Sequence, residues 1–384
     1  MRRWKLFAAL FAVAVLATMG WQSARRAAYA SMPAVELRAG DTAPIASPQH
    51  ADAIAQARAL AKQWVGERGY VGLGIAVGIK GEIVWSEGFG HADLEQQVPV
   101  TRDTKFRIGS VSKSVTAAAL GVLYEQGKLD LDAPVQRYVP SFPDKGKPVT
   151  VRQVAGHLAG LRHYKGDEFL IARRYSSVTE SLDIFKDDPL VFDPGMRYGY
   201  SSYGWNLLSA VVEGASGQSF LDYMNASVFA RLGLKNTMAD ENDKIISHRT
   251  RFYQRDSAGA VSNAPYVDNS YKWAGGGFLS TMDDLVRFGS AHLQPGFLKA
   301  ETLAVLFTSQ KTSAGELTNY GIGWSVRNDD KGRRTISHSG GSVGGTTMLL
   351  IYPESGIVVA MAVNMSSARL GGGSAAQIAE LLMK

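Results

Sequence analysis

KFRIGSVSKSVTAAALGVLYEQGKLDL, Lys105–Leu131, is the stretch on which the reading turns. The residues up to Ile108 read as extended, and a helix begins near Ser110. Past Lys113 the run SVTAAALGVLY is apolar nearly all round, the pattern of a helix buried inside a domain rather than lying on its surface. Ser110 and Lys113 stand three apart, which places them on one helical face. A helix start also turns backbone N–H groups toward whatever lies beside Ser110 and favours negative charge there. Two readings follow. One is a capped helix with a solvated lysine. The other is a nucleophile with its base, because a lysine at the dry end of such a helix is pushed toward neutrality and can take a serine proton.

Working outward, YVGLGIAVGIKGEIVWSEGFG reads as two strands joined at Lys80-Gly81. It follows a helix, ADAIAQARALAKQWVGERG, closed by glycine. Ser110 to Ala239 is mostly helical in pattern, with SYGWNLLSAVVEGASG and QSFLDYMNASVFARLG as helices. STMDDLVRFGSAHL is a further helix with Thr281 as N-cap and Asp284 at its third position. From Leu317 the pattern turns to strands (LTNYGIGWSVRN, RRTISHSG and TTMLLIYPESGIVVAMAVN), and SAAQIAELLMK closes the chain as a helix. Strands at both ends and helices between them predict an α/β (α+β) fold: one antiparallel sheet built from the two ends, flanked by helices, with a mostly helical insertion. A catalytic site is expected between sheet and insertion.

The chain has 384 residues, 45% of them hydrophobic and 20% charged, an ordinary globular composition. Its net charge of +6 is concentrated at the start. Of 41 Lys and Arg, Arg2, Arg3, Lys5, Arg25 and Arg26 lie in the first thirty residues, leaving 36 against 35 acidic residues. The basicity therefore points to targeting, and no nucleic-acid partner is expected. MRRWKLFAALFAVAVLATMGW reads as a signal peptide or N-terminal membrane anchor over 1–30, with AAYA as a possible cleavage site. The expected location is export, either to the periplasm or anchored to the inner membrane, or the mitochondrion if the source is eukaryotic. Residues 31–48 read as a linker and 49–384 as the catalytic domain. There is no cysteine, which excludes disulfides, thiolate metal sites and a cysteine nucleophile. No HExxH, EF-hand or P-loop pattern occurs, so neither metal nor cofactor is expected.

Two later segments strengthen the catalytic reading of Ser110. DPGMRYGYSSYGW sets Tyr200 in a glycine-bounded turn before a helix, and TISHSGGSVGG sets His338, Ser339 and Gly340 at a strand end. Glycines there let backbone N–H groups come close to a ligand. A nucleophile, a phenolic acid/base and an oxyanion donor are thus all present.

On these motifs the chain resembles the serine β-lactamase and penicillin-binding-protein superfamily, in its class C-like branch. S-x-x-K is Ser110–Lys113. The family's Y-x-N becomes Tyr200-Ser201-Ser202, and its K-T-G becomes His338-Ser339-Gly340. FGHADLEQQVPVTRDTKFRIGSVSKS, GKLDLDAPVQRYVP, VTVRQVAGHLAGLRHY and GGGFLSTMDDLVRF match the flanks, and GLRHY favours the subgroup containing the mitochondrial serine β-lactamase-like protein and its bacterial relatives. The resemblance implies an acyl-enzyme on Ser110, with Lys113 and Tyr200 sharing proton transfer. It implies an oxyanion hole from the backbone N–H groups of Ser110 and Gly341, and substrate contacts from Ser202, His338, Ser339 and Gly340.

The departures shape the expected substrate. Ser202 stands where the family has an amide, and His338 where it has a permanent cation. Grip on the carboxylate of a β-lactam or D-Ala terminus is therefore expected to weaken, and to return in part if acid protonates His338. Lys311-Thr312 is followed by Ser313 and is not a displaced K-T-G; no Ser-Asp-Asn occurs either. Gly340–Gly344 satisfies G-x-S-x-G, but strand pattern follows it where an elbow needs a helix, so Ser342 is set aside as nucleophile. His157 reads as a structural hydrogen-bonding residue. The expected function is a serine hydrolase of peptidase or esterase type acting on a small-molecule or peptide substrate. β-Lactamase or D-Ala-D-Ala carboxypeptidase activity is the alternative within that class. A weakly active binding or filament-forming assembly protein is the alternative outside it. An oligomer and membrane attachment through the N-terminus both stay open.

Overall fold

IVVAMAV, Ile357–Val363, is apolar at every position because it is the middle strand of a sheet covered on both faces. Val358, Ala360 and Ala362 enter one core, and Ile357, Val359, Met361 and Val363 enter the other. The computed structural model describes residues 43–383. Its main sheet comprises β1 (Ile45–Ala46), β2 (Gly72–Ile79), β3 (Glu82–Asp93), β4 (Ser325–Asn328), β5 (Arg334–Ser342), β6 (Gly345–Tyr352) and β7 (Ile357–Val363), in the order β1-β3-β2-β7-β6-β5-β4 with every pair antiparallel. The mixed architecture of an antiparallel sheet flanked by helices is the one expected.

The predicted hairpin turns at Lys80 and Gly81, both at positive φ, as a two-residue turn requires. Five main helices complete the frame: α1 (Ala51–Arg68), α2 (Val111–Glu125), α3 (Ser202–Ser216), α4 (Met282–Ser290) and α5 (Gly372–Leu382). The terminal helices α1 and α5 pack on one face of the sheet, and α2 and α4 belong to the core on the other. Thr281 caps α4 by accepting the Asp284 amide at 3.3 Å, as its sequence predicts. In α2, Val111 through Leu123 are all buried, which settles it as the central helix.

Two local expectations change. Ile45–Ala46, inside the stretch read as a linker, pairs in register with Ser86 and Trp85 as an edge strand. In LTNYGIGWSVRN, only Ser325–Asn328 is strand; Tyr320 makes an isolated bridge to Ser325 and the chain between them folds back on itself. The signal or anchor expected over 1–30 lies outside the described residues. Among the described residues no helix is long and apolar enough to cross a membrane.

Candidate active site

Ser110 is held from both sides. Before it, Phe106–Arg107 pairs with Phe278–Ser280, and the Ile108 amide donates to the Phe278 carbonyl at 3.1 Å. The buried Arg107 guanidinium donates to Asp240 at 2.6 Å and to the Val343 carbonyl at 2.8 Å, tying this segment to the β5–β6 turn. Gly109 takes φ +49, and a Cβ there would meet the Gly341 backbone at 2.6–2.8 Å. A Cβ on Gly340 would stand 2.0 Å from the Ile108 carbonyl oxygen and 3.2 Å from the Ser110 nitrogen. The two glycines let the end of β5 run directly against the start of α2.

Ser110 is the N-cap of α2, but its hydroxyl makes no cap bond. It accepts instead from Lys113 Nζ at 3.0 Å. The same ammonium position reaches Ser202 Oγ at 3.1 Å and the Gly275 carbonyl at 2.6 Å. Lys113 is wholly buried without a carboxylate among these partners. Desolvation first, and the nearby Lys272 charge second, hold its pKa well below the ordinary lysine value. The reading of Lys113 as a surface lysine is thereby excluded.

Tyr200 sits over this pair, with Lys113 Nζ 5.0 Å from its ring centroid and its hydroxyl in reach of the Ser110 and Ser202 side chains. Burial raises the phenol pKa, so the hydroxyl keeps its proton. The Tyr200–Ser202 turn is pinned by two histidines: the Ser201 amide donates to His157 Nδ1, and the Ser202 amide to His163 Nδ1, each at 3.1 Å. The Ser201 hydroxyl accepts the Gly204 amide at 3.1 Å, capping α3, and donates to the Arg162 carbonyl at 2.6 Å. His157 is thus structural, as expected. Burial depresses both imidazoles, that of His163 to about 4.

Ser110, Tyr200, Ser202, His338, Ser339 and Gly341 line one cleft of about 550 Å³, so the candidate residues dispersed in sequence are brought together. Gly340 backs that wall. His338 is where the sequence placed it, but in a different state. Its Nε2 lies 2.8 Å from the Tyr320 hydroxyl and its Nδ1 2.7 Å from the Ser339 carbonyl. Burial, with Lys113 next, lowers its pKa to about 3. The expected recovery of carboxylate binding in mild acid is therefore corrected: the ring stays neutral there chiefly because it is buried, and its bond to the Ser339 carbonyl offsets this only in part. Ser342 ends β5 opposite Gly345 in a hairpin, with Gly344 at φ +70 and no helix following, which confirms its exclusion as an elbow nucleophile.

Sequence reasoning missed Lys272, Tyr164, Phe169 and the Gly275 carbonyl, all in the cleft wall. A lysine embedded in SYKWAGGGF, amid apolar and glycine residues, was the available signal for Lys272. Among the described residues no group of acidic, His or Cys side chains is arranged to hold a metal.

Comparison with known proteins bears on the family and the fold. The model of the family described as Beta-lactamase matches residues 51–382. The human mitochondrial serine beta-lactamase-like protein LACTB is 35% identical, over 85% of this chain and 79% of its own length. Penicillin-binding protein 4* of Bacillus subtilis is 29% identical over 71% of this chain and 63% of its own. Among solved structures, the octameric penicillin-binding protein homologue from Pyrococcus abyssi superposes with a TM-score of 0.75 at 27% identity, covering 86% of this chain and 77% of that one.

Proposed function

The chain belongs to the beta-lactamase family, and from that premise we propose a serine hydrolase that works through an acyl-enzyme on Ser110, of peptidase or esterase type. The observation that carries the reading is the buried Lys113 amine 3.0 Å from the Ser110 hydroxyl. A neutral amine accepts the serine proton as Oγ attacks the substrate carbonyl. The Ser110 and Gly341 backbone N–H groups receive the oxyanion at the start of α2 and the end of β5. As the tetrahedral adduct collapses, the protonated Tyr200 hydroxyl gives its proton to the leaving group and is reprotonated from Lys113. Water then enters by the reverse path: its proton passes to the Tyr200–Lys113 pair, the ester bond to Ser110 breaks, and Ser110 recovers its hydrogen.

Substrate choice is read from the two departures. The Ser202 hydroxyl is engaged with Lys113, and the His338 ring is neutral. Neither supplies a fixed charge or an amide to a bicyclic lactam. Losing a charged contact costs about 1.5–3 kcal/mol, roughly ten- to hundredfold in affinity. An activated ester or short chromogenic peptide is therefore expected to be cleaved, and nitrocefin weakly or not at all. If nitrocefin has much the higher kcat/KM, the β-lactamase or carboxypeptidase reading takes first place. A fluorophosphonate probe tests the nucleophile. Labelling of the wild type, and none of Ser110→Ala, supports the mechanism. An unlabelled wild type favours the binding or assembly reading, for which light scattering gives the oligomeric state; an octameric relative makes that measurement worthwhile. Export remains the proposed location, with the mitochondrion as its alternative; fractionation of cells expressing the full chain decides between them.

A further inference from the structure

Lys272 is wholly buried in the wall of the cleft that holds Ser110. Its ammonium position has no hydrogen-bond partner among the described residues. It rests among aromatic rings, 4.3 Å from the Phe169 centroid, 5.1 Å from Tyr271 and 6.0 Å from Tyr164. An amine left without a partner in such a place costs free energy that a structural role does not return. The acid nearest in influence, Asp240, is already taken: it accepts from Arg107 at 2.6 Å, Asn269 at 2.8 Å and Arg249 at 3.3 Å. Lys113 has its own three partners, and His338 is neutral. An anion entering the cleft therefore finds its unsatisfied donor at Lys272, beside the cleft-lining Tyr164 and Phe169.

We propose that Lys272 is the specificity-determining residue of this cleft, receiving a carboxylate carried by an apolar or aromatic substrate, with the half-buried Phe169 ring turning aside to admit it. The aromatic wall supplies the apolar surface, and the amine supplies the one charged contact. This rests on the cleft being the substrate site of the hydrolase proposed above. It differs from the strand-edge carboxylate contact whose cation the sequence has lost at His338. The charged and titratable groups around Lys272 are Arg107, Asp240, Lys113, Tyr164 and Tyr271. Burial first, then Arg107, brings its pKa to about 7. A carboxylate should accordingly bind best below that value and more weakly as pH rises above it.

The test uses a matched pair of ligands, 4-phenylbutyrate and 4-phenylbutyramide, titrated into the full-length protein and its variants by calorimetry. The wild type should bind the carboxylate roughly 10- to 100-fold more tightly than the amide at pH 6. Lys272→Met should abolish that preference while leaving amide affinity in place. Lys272→Arg should keep the preference, and serves as the folded comparison if the Met variant is unstable. Equal affinity for the two ligands, a preference that survives Lys272→Met, or no binding of either up to 10 mM on the order of weak-ligand limits overturns the proposal. Fluorophosphonate labelling in parallel separates the two readings. Discrimination without Ser110 labelling sinks only the hydrolase, and labelling without discrimination sinks only the role of Lys272.

Discussion

The Tyr320 hydroxyl and His338 Nε2 stand 2.8 Å apart, and this pairing fixes the imidazole in one form. With Nδ1 facing the Ser339 carbonyl at 2.7 Å, the proton sits on Nδ1 and Nε2 accepts from the tyrosine. Charging the ring would bury a cation, and the Tyr320 hydroxyl would have to turn from donor to acceptor at Nε2. The histidine of the His-Ser-Gly motif is thus a neutral strut between β5 and the 320 turn. Its ring signals are expected to stay unshifted in a two-dimensional NMR titration from pH 7.5 to pH 5. A midpoint inside that range would show that the ring reaches solvent charge.

Lys113 works only as a neutral amine, so charge matters more than length at this position. Lys113→Ala is expected to lower kcat roughly 10²–10⁴-fold, and Lys113→Arg should not rescue it, because a guanidinium stays protonated. Tyr200→Phe should fall in the same range with little change in KM. In the wild type, kcat/KM should decline as pH falls through the depressed Lys113 pKa, since protonation removes the base. Near-normal turnover of both Lys113→Ala and Tyr200→Phe would refute the scheme.

Neighbouring glycines at the end of β5 are expected to respond oppositely to alanine. A Cβ at Gly340 lands 2.0 Å from the Ile108 oxygen, whereas one at Gly341 meets nothing within 4 Å. Gly340→Ala should lose about 1–3 kcal/mol, the usual cost of forced overpacking, and should displace the Ser110 turn. Gly341→Ala keeps its N–H and should melt like the wild type. Urea midpoints and fluorophosphonate labelling rates of the two variants check this.

Stability should fall on the acid side, and buried histidines are the reason. His292 is held to about 4 and His338 to about 3, each chiefly by burial, against an ordinary 6.5. His157 shifts in the same direction. The unfolded chain therefore binds more protons between these values and 6.5. The contribution is complete above about pH 6.5 and drains away as pH falls toward the folded values, by roughly 1–2 kcal/mol for each fully buried ring at pH 5. His292 packs among Phe288, Phe297, Phe307 and Trp324, remote from the cleft residues, so His292→Gln should flatten the pH dependence of the urea midpoint without altering Ser110 labelling. An unchanged slope would assign the acid sensitivity elsewhere.

Much of this protein is settled locally. The apolar girth of SVTAAALGVLY makes α2 central wherever the rest of the chain goes, because no face of it can meet water cheaply. The Lys80-Gly81 turn, the glycine stop at Gly69 and the Thr281 cap depend on backbone preferences and short-range bonds, so they were legible in the sequence. Ser110 and Lys113 lie one helical turn apart, and their contact needs no other part of the fold.

The state of each group was decided by partners far away in the chain. The charge of Lys113 is disfavoured because it is buried, with Ser202 and Gly275, 89 and 162 residues distant, enclosing it without a carboxylate. His338 is kept neutral chiefly by burial, and Tyr320, where the chain folds back instead of forming the expected strand, stands against its ring. The apolar and glycine neighbours of Lys272 in SYKWAGGGF hint at burial; only the closure of Phe169, Tyr164 and Tyr271 around it leaves it buried without a hydrogen-bond partner among the described residues. The sequence determines which residues can bond to their near neighbours. Desolvation depends on everything that comes within a few ångströms, so the charges of the cleft were fixed only when distant segments packed together.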